Sequence, residues 1–352
     1  MTDIQKRETS KEKGYRMPAE WEAQEAVWLS WPYNILTFGE FMNKVRTSYA
    51  QFASAVSKGE RVKMLVSAQT IDSAKSYLEK YNANMRNVEF YDFSPEDVWI
   101  RDYGPTFVVN KKAKEPLAMV RWNFNAWGNK YDDLLKDRRI PEKILEIMKI
   151  PVFNTYINLE GGSIEVNGKG IVMTTEQCLL NPNRNPKYSK QLLEDYLFEF
   201  LNTEKVIWLK EGIVGDDTDG HIDDIARFVN SNTIVCAFED NEKDPNYKIL
   251  EENYKILQKQ TDLDGNRFKI VKIPMPDPIM DGEKYLPASY INFYIANEVV
   301  VVPIFGCEKD KLALSILQKE FSTREVIGVN CREFVYGLGT LHCSSQQQPS
   351  IN

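Results

Sequence analysis

Two segments of this chain carry side chains able to do covalent chemistry. One is Gly215-Asp-Asp-Thr-Asp-Gly-His-Ile-Asp-Asp224, built round His221. The other is Gly337-Leu-Gly-Thr-Leu-His-Cys-Ser-Ser-Gln-Gln-Gln-Pro349, where His342 precedes Cys343. The chain has only these 2 histidines. A cysteine with a distant histidine and nearby carboxylates is the pattern of nucleophilic thiol catalysis, whose partners meet in space rather than in sequence.

Cys343 is the candidate nucleophile, because Cys178, Cys236, Cys307 and Cys331 lie in apolar strand or helix patterns and read as packing. His342 reads as a satisfied structural histidine. Consecutive residues of an extended segment point to opposite faces, so His342 and Cys343 cannot both face one pocket. That leaves His221 for proton transfer. Asp102, Glu160, Asp217, Asp219 and Asp223 would crowd such a pocket with negative charge, and like charges raise one another's pKa unless a cation enters. A planar cation with several N–H donors suits paired carboxylates, which describes a guanidinium. Trp99, near Asp102, is placed to stack on its face. The expected reaction is attack of the thiolate on the guanidinium carbon, loss of ammonia, and attack of water on the amidino-cysteine intermediate. His221 would protonate the ammonia and deprotonate the water. Asp102 and Asp223 would fix the substrate nitrogens, and Glu160 would orient His221 or a substrate nitrogen.

Composition sets the frame. The chain has 352 residues, 43% hydrophobic and 27% charged, which is ordinary for a soluble globular protein. A net charge of −7 and a pI near 5.3 disfavour nucleic acid as a partner and suit a small cationic ligand. The start of the chain has no apolar signal-peptide region, and Val299-Val-Val-Val-Pro-Ile-Phe305 is too short to span a bilayer, so the expected location is the cytoplasm, without membrane contact. The 5 cysteines are scattered without a Cys-x-x-Cys, which argues against both a disulfide framework and a zinc site. No metal and no cofactor are expected. A homo-oligomer is left open.

These residues must be positioned by a recurring series of elements. Helical periodicity runs over Phe41–Val56, Ile71–Tyr81, Lys136–Met148, Lys187–Leu201, Tyr247–Gln260 and Lys309–Phe321. Short strands are predicted at Val88–Asp92, Val152–Thr155, Val206–Leu209, Phe268–Ile273 and Val326–Val329. Hairpins are predicted at Ile164–Met173, Ala226–Cys236 and Ile291–Val301, with Asn-Gly and Asn-Ser-Asn as turns that tolerate positive φ. Thr106–Asn110 is expected to pair with Met119–Phe124, and Phe334–Cys343 with Ala26–Trp31, closing a ring. The unit of strand, loop, hairpin and helix recurs about five times, as in a radial array. The fold class is therefore α/β, an α/β-propeller of five ββαβ units in one domain spanning 17–352, after a flexible segment at 1–16. An ordinary α/β sandwich with mixed strands fits the same elements. In every unit the unusual residues occupy the loop before the hairpin: Asp97–Pro105, Asn158–Gly162, the His221 cluster, Pro287–Asn292 and Gly337–Pro349. Loops at equivalent positions round an axis would converge and bring Asp102, Glu160, His221, Asp223 and Cys343 together.

The same segments carry a family likeness. Met17-Pro-Ala-Glu-Trp-Glu22, Val27-Trp-Leu-Ser-Trp-Pro32, Asp97-Val-Trp-Ile-Arg-Asp-Tyr-Gly-Pro105, Asn123-Phe-Asn-Ala-Trp-Gly128, Glu160-Gly-Gly162 and Cys178–Pro186 occur in that order. The His221 cluster, Ala288–Asn297 and His342–Pro349 follow. The chain resembles agmatine deiminase and the bacterial peptidyl-arginine-deiminase-like proteins grouped with it, which belong to the guanidino-group-modifying pentein superfamily of five-fold α/β-propellers. The resemblance implies hydrolysis of agmatine to N-carbamoylputrescine and ammonia, a step of putrescine biosynthesis, without metal or cofactor. It implies Cys343 as nucleophile, His221 as acid and base, Asp102 and Asp223 as guanidinium ligands, and Glu160 in the same pocket. Asp217 falls where the family places an acid near the substrate amine. This chain departs from the usual Gly-Gly-Gly-Asn-Ile-His-Cys at Leu338 and Thr340, which leaves the substrate open. A peptidyl-arginine or free-arginine deiminase would need an open groove or a carboxylate-binding arginine, for which Arg121, Arg184 and Arg227 are the candidates. A non-catalytic guanidine-binding protein would need neither Cys343 nor His221.

Overall fold

A computed structural model describes residues 8–351. Within it the described residues build six sheets; one is a two-stranded ribbon of Met280–Asp281 and Lys284–Tyr285, and the other five share one internal order: a strand, an antiparallel neighbour, then a parallel neighbour reached through a helix. The second sheet is Thr106–Val109, Leu117–Asn123 and Val152–Asn158. The third is Glu165–Val166, Ile171–Thr175 and Lys205–Leu209, and the fourth Ala226–Asn230, Thr233–Phe238 and Lys269–Pro274. The fifth is Tyr294–Ile295, Val299–Ile304 and Glu325–Asn330. The first joins the two ends of the chain: Ser345–Pro349 runs antiparallel to Gln24–Ser30, which runs parallel to Arg61–Val66. Val88–Asp92 then adds a fourth, parallel strand. The fold class is α/β with mixed sheets.

Helices cross between parallel strands at Met42–Val56, Ile71–Lys80, Ile140–Met148, Lys190–Leu201, Asn246–Leu257 and Lys309–Glu320. Each lies within four residues of its predicted span at both ends, and their terminal chemistry accounts for some limits. Ser189 caps Lys190–Leu201 by accepting from the Leu192 amide, and Asn202 ends it in the left-handed region. Lys136–Arg139 belong to a 3-10 turn rather than to the helix, which begins at Ile140 with Pro141 in its first turn.

Three predicted details are corrected. Arg61–Val66 is a strand that the periodic series omitted, although its apolar run was visible. The strand predicted at Phe334–Cys343 lies at Ser345–Pro349 instead, because Phe334–Gly337 is a 3-10 turn and Leu338 takes a φ of 67°. The real strand is polar and buried, and its glutamines find partners: Gln348 Oε1 accepts from Trp28 Nε1 at 3.1 Å and from Lys63 Nζ at 3.0 Å. Hydrophobic alternation cannot flag such a strand. In the hairpin turns, positive φ occurs at Gly168 and Gly170, but Asn230–Asn232 turns without it, Asn230 Oδ1 accepting from the Asn232 amide at 3.0 Å.

Of the segment expected to be flexible, residues 1–7 lie outside the described residues. Thr9–Arg16 are packed: Thr9, Ser10 and Tyr15 are buried, and Arg16 exchanges backbone hydrogen bonds of 3.0 and 2.8 Å with Val109. Beyond them Glu20 reaches the centre of the molecule, where it is 4% exposed.

Candidate active site

The five loops preceding the hairpins meet. Gly162 of the second loop donates its amide to Asp102 Oδ1 of the first at 3.0 Å. His221 of the third loop places Nδ1 3.7 Å from Asp102 Oδ1 and Nε2 3.9 Å from Glu160 Oε2. Asn292 of the fourth loop donates Nδ2 to Cys343 Sγ of the fifth at 3.0 Å. Asp223 Oδ2 lies 3.8 Å from the same sulfur. The crowding needs a glycine at 162, where a Cβ would stand 2.6 Å from His221 Nδ1. All five residues that the sequence grouped are buried and adjacent.

The local turns that deliver them are built from short-range hydrogen bonds. Asp216 accepts from the amides of Thr218, Gly220 and His221, which folds the cluster into a tight loop and leaves Asp217 free to point elsewhere. Cys343 lies in the turn Leu341–Ser344, not in an extended strand, so the alternation expected of His342 and Cys343 does not operate. His342 is nonetheless satisfied: Nδ1 meets Asp223 Oδ2 at 2.7 Å and Nε2 meets Glu20 Oε2 at 2.8 Å.

A cavity of about 280 Å³ opens beside the thiol. Cys343, Asp102, Trp99 and Asp217 line it together with Trp127, Tyr131, Tyr336 and Leu338. His221, Glu160 and Asp223 are not lining residues, but each touches one that is or lies a side chain away. Among the lining residues are four acids, Asp97, Asp102, Asp133 and Asp217, and no basic side chain.

Electrostatics match that imbalance. Burial pushes the Cys343 thiol well above its ordinary value, and Asp223, Asp224 and Asp102 push it further. Burial also raises Asp102 to about 6, with Asp223 and Glu160 adding to the rise and His221 opposing it. Burial disfavours the charged form of His221, but Asp102, with Cys178 and Glu160, holds its pKa well above the ordinary value. Burial would raise Glu160, but Arg184 and His221 hold it low. Three polar atoms in this buried cluster have no hydrogen-bond partner: both ring nitrogens of His221, and Asp223 Oδ1. A buried, acidic site in which Asp223 Oδ1 is an unpartnered acceptor is complementary to a cation rich in N–H groups.

Each arginine considered as a carboxylate clamp is already engaged. Arg184 donates to Glu160 at 2.6 Å and to Asp219 at 2.6 Å, Arg227 pairs with Glu165 at 2.7 Å and Glu20 at 3.0 Å, and Arg121 meets Glu142 at 2.6 Å on the surface. Trp99 packs between Phe38 and Phe334, each centroid 6.0 Å away, and presents itself as cavity wall. Cys178 is buried 4.0 Å from Glu160 Oε2.

Two residues at the site were not singled out from the sequence. Asn292 holds the Cys343 loop, accepting at Oδ1 from Thr340 Oγ1 at 2.7 Å and from the His342 amide at 3.0 Å. Its place in the fourth loop of the series was the available signal. Trp127 donates Nε1 to Asp102 Oδ2 at 2.8 Å. It stands in four successive residues of positive φ, Ala126 to Asn129, a conformation that only Gly adopts without strain.

Fold and site together define a class: a hydrolase that works on guanidino groups from a buried pocket of one thiol, one histidine and several carboxylates. Residues 16–349 match the family of Porphyromonas-type peptidyl-arginine deiminases. The chain is 37% identical to the agmatine deiminase of Medicago truncatula over 369 residues, covering 96% of this chain and 97% of that protein. Its structure is similar to that of Enterococcus faecalis agmatine deiminase, with a TM-score of 0.91, 35% identity and 98% of each chain covered. A substrate-bound agmatine deiminase of C. jejuni aligns with a TM-score of 0.85 and 31% identity over 96% of each chain. An amidinotransferase from Microseira wollei, at 11% identity and a TM-score of 0.54, shares the fold alone. The chain belongs to the Porphyromonas-type peptidyl-arginine deiminase family.

Proposed function

We propose that the protein is an agmatine deiminase, converting agmatine and water to N-carbamoylputrescine and ammonia through an amidino-cysteine intermediate. The observation that carries the choice of substrate is the acidic cavity. Agmatine is cationic at both ends, and the wall offers carboxylates and no basic group for an α-carboxylate. Arginine would bring a carboxylate that Arg121, Arg184 and Arg227 are too engaged to receive.

In this reading the guanidinium lies between Asp102 and Asp223, whose oxygens accept from its nitrogens. Its positive charge offsets the carboxylates that keep the Cys343 thiol protonated, so substrate binding itself favours the thiolate. Asn292 Nδ2–H supports the negative sulfur. The sulfur attacks the central carbon, and the tetrahedral adduct breaks its bond to one terminal nitrogen. Protonated His221 gives that nitrogen its proton, and ammonia leaves. Neutral His221 then takes a proton from water as the oxygen attacks the amidino carbon, and the C–S bond breaks to release the ureido product and the thiol. Glu160, fixed by Arg184, keeps His221 in register. Trp99, Trp127 and Leu338 would wall the aliphatic chain, and Asp217, bonded to Tyr131, would meet the distal amine.

The repeated sheet order and the convergence of all five loops support one catalytic domain arranged as a five-fold α/β-propeller round that site. The acidic balance supports a cytoplasmic enzyme without nucleic-acid partners. Among the described residues no helix is long and apolar enough to cross a membrane.

Ammonia release compared across agmatine, free arginine and an arginyl peptide tests the assignment. Turnover of agmatine at least about tenfold above both others is expected, a gap of about 1.4 kcal/mol in transition-state stabilisation. Preference for the peptide would overturn it. Cys343→Ala should abolish ammonia release while leaving the fold intact, and retained activity would remove the nucleophile.

A further inference from the structure

Glu20, in the motif Met17–Glu22, has no place in the reaction described above, yet it is buried against the residue that precedes the nucleophile. Both ring nitrogens of His342 face carboxylate oxygens, Glu20 Oε2 at 2.8 Å and Asp223 Oδ2 at 2.7 Å. A neutral imidazole carries one N–H. Two such contacts each need a hydrogen, so the line Glu20–His342–Asp223 holds one proton more than a neutral ring between two carboxylates. We propose that this proton is on the ring, making His342 an imidazolium clamp anchored by Glu20, and that Glu20 and His342 are positioning residues which aim Asp223 at the substrate guanidinium.

The surroundings of each carboxylate place the proton. Glu20 accepts from the Ile295 amide at 2.8 Å and faces Arg227 at 3.0 Å and Arg101 at 3.5 Å. Its other neighbours, two guanidinium groups and an amide, are all donors, and they suit an ionised carboxylate rather than a carboxylic acid. Burial would raise the Glu20 carboxyl, but Arg227, His342 and Arg101 hold it well below the usual range. Asp223 is likewise held low against burial by His342 and His221. Arg101 also donates Nε to the His342 carbonyl at 3.2 Å, fixing the backbone beneath the ring. Glu165 completes the set, bound to Arg227 at 2.7 Å. Burial raises Glu165 to about 7 against the pull of Arg227, so above that pH and with a charged ring three cations (Arg101, Arg227, His342) balance three carboxylates (Glu20, Glu165, Asp223) in one buried network. A neutral ring would leave a buried negative charge uncompensated.

The geometry has a direct result. The clamp occupies Oδ2 of Asp223 and leaves Oδ1 without a partner. The carboxylate is thereby fixed in rotation, with its free oxygen available to a nitrogen of the substrate. This last link rests on the agmatine reading, whereas the clamp itself does not.

Imidazole 15N spectra of the full-length protein test it without substrate, and a chain with 2 histidines gives a spectrum simple enough to assign. A His221→Gln variant identifies the His342 signals. At a single pH a little above neutral, both His342 nitrogens should show attached protons. One protonated and one bare nitrogen would overturn the clamp. Glu20→Gln removes one counter-charge, and His342 should then lose a proton at the same pH. With agmatine, Glu20→Gln should raise KM about tenfold with a smaller fall in kcat, and Glu20→Asp should recover part of that loss. A changed melting temperature with an unaltered spectrum and KM would reduce Glu20 to a structural part and overturn its positioning role. A doubly protonated ring in a protein that does not turn over agmatine would leave the clamp standing and refute the substrate assignment instead.

Discussion

The 2 histidines are equally buried, each 1% exposed, and are surrounded by carboxylates, yet their environments are opposite. Both nitrogens of His342 are engaged at 2.7 and 2.8 Å. Neither nitrogen of His221 has a partner, its nearest carboxylate oxygens being 3.7 and 3.9 Å away. A ring held at both ends cannot exchange protons without breaking the structure that holds it. A ring poised between acceptors, slightly too far from each, can take up or release a proton as substrate nitrogens and water come into reach. The contrast separates a group that fixes from a group that moves.

Substitutions should break the contrast in opposite ways. His221→Ala is expected to lower kcat roughly a hundred- to ten-thousand-fold, the usual contribution of a positioned acid or base, with a smaller fall in melting temperature than His342→Ala causes. Steady-state ammonia release with a thermal melt checks both halves. A small effect on kcat would remove its role in proton transfer. His342→Ala should do the reverse first: it leaves Asp223 and Glu20 without their shared partner, and losing one member of a buried charged set costs about 3–5 kcal/mol. Denaturant unfolding should show that loss, and stability equal to the parent would contradict the clamp.

The pH dependence sharpens the difference further. Asp102 is raised to about 6 in the folded protein, chiefly by burial, so between its ordinary value and 6 the native state holds a proton that the unfolded chain has lost. Its stabilising contribution is full below the ordinary carboxylate range and is lost as pH rises through 6. If the proposed pairing of Asp102 with the guanidinium holds, kcat/KM should rise across the same window in which this group's contribution to stability falls. Asp102→Asn should flatten its share of both slopes, measured as parent minus variant, because Asp97 is also raised to about 6. Parallel rather than opposed slopes in that difference would refute the assignment.

Leu338→Gly should have the smallest effect. At a φ of 67° a leucine is strained by about 1–2 kcal/mol, and glycine relieves that while adding freedom to the unfolded chain. Net stability should shift by no more than about 1 kcal/mol. The cavity wall beside Cys343 would retreat, so discrimination between agmatine and bulkier guanidines should weaken by several-fold. Unchanged selectivity would show that the leucine is not a wall of the site.

Much of the site was legible from its loops. Asp102, Glu160, His221, Asp223 and Cys343 each fall in the same slot of the series, and their chemical types announce themselves. The helices were legible because a crossover helix must show an apolar stripe. What escaped was polar and conditional. Glu20, Asn292 and Trp127 owe their roles to partners far along the chain, and nothing in Asn123–Gly128 states that four residues will turn left-handed. The strand Ser345–Pro349 escaped because its burial is satisfied by hydrogen bonds, and the expectation that His342 faces away failed in its premise while its outcome held. His342 is fixed by Glu20 and Asp223 within a turn, not by strand alternation.

The strand that joins the ends of the chain also sets a time. Trp28 and Gln348 bond across 320 positions, a closure that chain entropy makes slow and late relative to local hairpins and helices. Cys343 lies two residues before that strand, and Asn292 and Asp223 become its neighbours only when the strand is in place. A newly made chain therefore carries an ordinary thiol until its final pairing forms, and the completed fold then holds that thiol protonated.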